Sequence, residues 1–151
     1  MPKDSGIGAS TKRREDIRFL TGEGNYTDDI NIHGQAYVHF LRSDVAHGTL
    51  TSVDTTAAAG MPGVVRIFTG SDFEGVGGMP CGWQVTDRHG QPMQEPAHPI
   101  LAQGKVRHVG EPIAAVVADT AEQARDAAEA IVVDIAELPA VVDMKAALEA
   151  G

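Results

Sequence analysis

The chain has 151 residues, 42% of them hydrophobic and 22% charged, with a formal net charge of −9. That length fits one domain large enough to bury a sizeable core, and the acidic balance argues against nucleic acid and anionic membrane surfaces as partners. A single cysteine excludes an internal disulfide, no apolar run reaches the roughly 20 residues of a membrane span, and no apolar signal core follows the basic N-terminus, so a cytoplasmic location is expected.

Residues 1–12 are poor in apolar side chains, and we read them as a disordered lead. Lys12, Arg13, Arg14 and Arg18 form a local basic cluster, read as solvated or as a contact for an acidic surface. Arg14 to Leu20 predicts one or two helical turns, with Ile17 and Leu20 on one face. The stretch TGEGNYTDDI (21–30) then ends the helix. Residues 35–42, QAYVHFLR, carry apolar side chains on both alternating sets and read as a strand covered on both faces. His39 within it is expected to be packed. Residues 47–54, HGTLTSVD, predict a second strand. TTAAAG (55–60) suits a short helix capped by Thr55 or Thr56 and ended by Gly60. Pro62-Gly63 fits a type II turn, and VVRIFT (64–69) a third strand, with a short turn or helix over Ser71–Phe73.

Residues 74–104 hold six glycines, four prolines, the only Trp and the only Cys, and predict a long irregular loop. PIAAVVA (112–118) is the apolar run of a buried strand. Thr120 and Gln123 match a capping box. Ala121, Ala124, Ala127, Ala128 and Ile131 then share one helical face. Residues 131–135 return as a strand. Leu138-Pro139 makes a corner, Val141-Val142 a short extended piece, and Asp143 caps a final helix. The order predicts an α+β fold: a small mixed sheet with two to three helices packed on it.

Candidate chemistry is thin. TGEGNYT has the first two glycines of a dinucleotide fingerprint, but Thr27 stands where the third is needed and no strong strand precedes it. Asp28 and Asp29 lack the alternating oxygens of a calcium loop. A turn is the better reading, with Gly22 and Gly24 supplying unusual backbone angles and Asn25 or Asp28 bonding local amides. His33, His39, His47, His89, His98 and His108 show no metal-ligand spacing. Cys81 lacks a nearby helix N-terminus and reads as semi-buried and inert. Trp83 reads as a plug anchoring the loop, His89 and His98 as solvent-facing, and Asp44 and His47 as a pair without a serine nucleophile.

One series of motifs is more specific in combination: Arg14-Glu15-Asp16 and Arg18 through Ile30; Arg42-Ser43-Asp44-Val45-Ala46-His47-Gly48; Met61 through Val65; Val109-Gly110-Glu111-Pro112-Ile113-Ala114; and Leu138 through Asp143. In this order they resemble the start of the molybdenum-binding large subunit of the xanthine dehydrogenase and aldehyde oxidase family, most of all its aerobic carbon monoxide dehydrogenase branch. The resemblance implies an N-terminal α/β hammerhead domain over residues 13–148, with 149–151 as a tail. It implies a parent oxidoreductase that oxidises a small substrate at a molybdopterin cytosine dinucleotide-type centre, with 2Fe-2S and FAD on partner subunits. In that family the catalytic glutamate and most pterin contacts belong to later domains, so no catalytic, cofactor-binding or metal residue is assigned in this chain, which is expected not to be catalytic alone. The rival reading is a self-contained small-ligand or protein-interaction domain using loop 74–104.

Overall fold

The computed structural model describes residues 6–8 and 12–149. The expected lead over 1–12 and tail over 149–151 fall mostly outside them. The chain divides into two compact units, Met1–Gln35 and Ala36–Gly151.

In the first unit, helix α1 spans Asp16–Leu20. Arg18 pairs with Glu15 at 2.8 Å on its exposed surface. Ile17 and Leu20 lie three residues apart in this helix, on one face as expected, and both are exposed. Phe19 packs instead, stacking on Tyr26 with ring centroids 5.2 Å apart. This contact explains TGEGNYTDDI. Gly22 has φ +77°, a region that a side chain resists. Gly24 has no such angle; a Cβ there would overlap the Phe19 ring. The amide of Tyr26 donates to Asp29 Oδ2 at 2.8 Å. The bonding side chain is therefore that of Asp29, not Asn25 or Asp28, because the 3₁₀ turn Thr27–Asp29 places it three residues past Tyr26, where it reaches back.

Among its described residues the second unit holds six strands: β1 (Tyr37–Arg42), β2 (Gly48–Asp54), β3 (Val64–Thr69), β4 (Lys105–Val106), β5 (Pro112–Ala118) and β6 (Val132–Glu137). Helix α2 is Thr56–Ala59 and helix α3 is Ala121–Glu129. The class is α+β as expected, but the sheet is not one mixed sheet. There are two sheets, ordered β1-β5-β3 and β4-β2-β6, and every pair is antiparallel. β5 and β6 flank α3 in sequence yet lie in different sheets, because β6 pairs with β2 from the first half of the chain. Such pairing is a long-range choice that local periodicity does not encode.

α3 lies across β1 and β5. Its Ala127 and Ala128 join Ala58, Ala114, Val116 and Ile131 in the main core, and its Ala124 is also fully buried. A second cluster, Ala102, Val106 and Ile113, packs against Leu50, Val53 and Ile135. Thr120 caps α3, accepting from the Gln123 amide at 3.2 Å. The reciprocal half of the capping box is not made. Gln123 Oε1 is buried without a hydrogen-bond partner, and its amide lies where a Cβ on Gly63 would stand. Gly63 itself has the positive φ expected of its turn. Asp54, rather than Thr55 or Thr56, holds the start of α2, accepting from the Thr56 amide at 2.9 Å. After Leu138, Val141-Val142 forms no strand, and Asp143 starts only a 3₁₀ turn, Ala146–Leu148, by accepting from the amides of Lys145 and Ala146.

Two such end-holding carboxylates titrate low. The Thr56 hydroxyl and amide lower Asp54, and the Thr69 amide lowers Asp72. Their folded pKa values lie below the unfolded ones, so the stability they add is complete above about pH 4 and is lost as pH falls through the depressed values. The thermal midpoint should therefore decline on acidification below about pH 4, and Asp72→Asn should make that decline shallower. An unchanged acid slope in the variant would remove Asp72 from the account.

Candidate functional site

Three of the sequence motifs meet in the second unit. The chain leaves β1 at Arg42-Ser43, and the 107–111 turn lies beside it. The Gly110 amide donates to the Ser43 carbonyl at 2.7 Å, and the Ser43 amide to the Glu111 carbonyl at 2.9 Å. Arg42 Nη1 donates to the Gly110 carbonyl at 2.9 Å. Ser43 Oγ donates to the Val45 carbonyl and accepts from the Val45 amide, closing a tight turn. Ser43 and Glu111 are the buried polar side chains among the described residues.

Glu111 is 2% exposed. Its carboxylate accepts from the Arg107 amide and from Arg107 Nη1 at 3.2 Å. His108 Nδ1 lies 3.9 Å away. A buried carboxylate is tolerated only when its oxygens are satisfied in this way. Here the partners come from the same turn, so the group shapes the 107–111 backbone. The motif containing Glu111 was visible in the sequence; this role was not, because it depends on burial.

The third motif joins through His47. Its Nδ1 lies 2.7 Å from the Pro139 carbonyl, so that nitrogen carries the proton and donates. The Leu138 amide donates back to the His47 carbonyl at 2.8 Å. The junction borders a groove of about 470 Å³ lined by His47, Arg107, His108, Val109, Pro139 and Val142 among others. Val142 is 91% exposed, and Val109 and Val141 are also exposed.

Of the other candidates, His98 and His108 meet edge to face with ring centroids 6.4 Å apart, and the rest do not assemble. Asp44 is exposed while His47 is half-buried and turned to Pro139. Among the described residues no group of three or more His, Cys, Asp or Glu is placed to hold a metal ion. His39 is exposed rather than packed, because it stands on an edge strand of its sheet. Segment 74–104 is irregular as expected, with one isolated bridge, Thr86 to Pro92. It forms a braced arm. The Met79 amide donates to the His98 carbonyl at 2.8 Å. Glu95 accepts from the Cys81 amide and from Gln84 Nε2. His89 and His98 are solvent-facing as expected. Cys81 and Trp83 are not: Cys81 is exposed, not semi-buried, and Trp83 is 81% exposed, not a plug. Backbone bonds and Glu95 anchor the arm, so no aromatic plug is needed.

Fold and junction together define an α+β domain whose buried polar groups serve its own joints. The chain belongs to the aldehyde oxidase and xanthine dehydrogenase family: the model of that family's a/b hammerhead domain matches residues 21–139. Among relatives, the nicotine 6-hydroxylase large subunit of Paenarthrobacter nicotinovorans is 37% identical over 96% of this chain and 17% of its own length. The carbon monoxide dehydrogenase large chain of Afipia carboxidovorans is 36% identical over 97% of this chain and 17% of its own length. Among solved structures, quinoline 2-oxidoreductase from Pseudomonas putida 86 superposes with a TM-score of 0.81 at 40% identity, covering 95% of this chain and 18% of that one. The Cu,Mo-CO dehydrogenase in its carbon monoxide reduced state gives 0.77 at 35% identity, with 97% and 17% covered. The chain thus spans about a sixth of the length of these relatives. Identities of 37% and 36% to enzymes named for different substrates do not separate one substrate from another.

Proposed function

We propose that this chain is the N-terminal hammerhead domain, residues 13–148, of a carbon monoxide dehydrogenase-like molybdenum hydroxylase large subunit. Its task is structural. It supports oxidation of a small substrate at a molybdopterin centre, of the cytosine dinucleotide type, that lies in later domains. It packs on those domains and offers surface to cytoplasmic iron–sulfur (2Fe-2S) and flavin (FAD) subunits. The observation that carries this reading is the use of Glu111. The one buried charged side chain among the described residues is held by its own Arg107 turn. Family membership and the sixfold greater length of the relatives support it. On this reading no residue of the chain is assigned to molybdenum.

Molybdenum analysis of the purified 151-residue chain tests the proposal. A metal content near zero is expected; near-stoichiometric molybdenum would overturn it. A second reading, an interaction domain working through arm 74–104, is favoured by the exposed Trp83, Met79 and Val85 on a braced segment. It predicts that Trp83→Ala abolishes binding of a partner to the isolated chain, whereas the first predicts no stable partner without the rest of the large subunit.

A further inference from the structure

The sheet β1-β5-β3 is apolar on both faces but covered on one. Alternation sets the faces. Toward α3 lie Ala114, Val116 and Ala118 of β5, all fully buried. The opposite face follows from the register. Val38 pairs with Val117, and Phe40 with Ala115. Across β5, Val117 pairs with Arg66 and Ala115 with Phe68. Five apolar side chains thus stand together: Val38 is 53% and Phe40 43% exposed, Val117 and Phe68 are half-buried, and Ala115 is buried. An antiparallel sheet that keeps one face in water normally alternates apolar with polar residues. This one does not, and an exposed contiguous apolar patch marks a contact surface.

The rim indicates the occupant. The Arg42 guanidinium lies 5.6 Å above the Phe40 ring and that of Arg66 5.0 Å above the Phe68 ring. Arg66 has Asp72 beside it at 3.4 Å, while Arg42 donates to a neutral carbonyl. The rim therefore carries one arginine paired to a carboxylate, Arg66, and one bonded only to a neutral carbonyl, Arg42, on a chain of net charge −9. A symmetric dimer through this face would bring the same patch, and hence the same arginines, together. That disfavours a second copy and favours a segment of different sequence with apolar and acidic side chains. About five-sixths of each relative lies outside the matched region, so ample chain exists to supply it.

We propose that this open face is an internal seam of the large subunit, covered by an apolar, carboxylate-bearing segment from outside the hammerhead domain. The inference rests on the structural role proposed above. The test uses the complete holoenzyme carrying a photo-cross-linking residue at Val38, with hydroxyl-radical footprinting of Phe40 in the native and the guanidinium-unfolded enzyme. The expected result is severalfold protection of Phe40 in the native enzyme and a cross-link to an Asp- or Glu-containing peptide of the same large subunit outside residues 13–148; a cross-link to a peptide within 13–148 overturns the inference. Native reactivity close to the unfolded value overturns the inference and leaves the structural role standing. A cross-link to a second copy, or to an iron–sulfur or flavin subunit, overturns it as well. Molybdenum in the isolated chain would instead remove the role on which it rests.

Discussion

Replacing Glu111 with Ala should lower the thermal midpoint by roughly 4–12 °C, from a loss of about 2–3 kcal/mol in a domain of this size. The carboxylate is buried and holds the Arg107 amide and guanidinium. Removing it leaves a backbone donor unsatisfied inside the protein, which costs about 1–3 kcal/mol. The Arg107 side chain is 38% exposed and regains water, so the ion pair itself contributes little to the loss. Glu111→Gln keeps one carbonyl acceptor and most of the volume, and should lose about half as much. Calorimetry of both variants checks the order. If Glu111→Ala melts with the unmodified chain, the carboxylate is not structural, and the scaffold reading loses its main support.

The same junction marks where the sequence was readable and where it was not. Strands β1, β2, β3, β5 and β6 lie where runs of branched and aromatic residues predict them. Pro62-Gly63 and Thr120 punctuate the chain as expected, since turn and cap chemistry is local. Sheet membership was not legible. The apolar stretches of β5 and β6 carry no label for their partners, and the partners lie in the first half of the chain. Burial of single residues in irregular segments was equally hidden. Cys81 and Trp83 have the composition of core residues, yet an arm held by Glu95 and backbone bonds leaves both in water. The Glu111 motif could be recognised as part of a series, but a Glu beside Gly and Pro reads as a surface turn until the fold encloses it. The two-sided apolar pattern of β1 has a different standing. It predicts cover on both faces, the second unit supplies cover on one, and the remaining face is the seam proposed above.

Ala127→Leu should be the most damaging conservative change in α3, at about 2–3 kcal/mol, because overpacking a closed core forces strained rotamers or backbone shifts. Ala127 has no exposed surface and shares the main core with Ala58, Ala114 and Val116. Small side chains on both the helix and β5 set the distance between them, and a Leu at that contact has no void to enter. The helical stripe read from sequence also contains Ala121, but the structure leaves Ala121 exposed at the first turn. Ala121→Leu should therefore change stability by no more than about 0.5 kcal/mol, as surface substitutions do. Urea unfolding of the two variants separates periodicity from packing. A stripe that was buried throughout would penalise both equally. If the helix instead sat loosely on β5, Ala127→Leu would be neutral or stabilising, and the close approach of α3 to the sheet would be wrong.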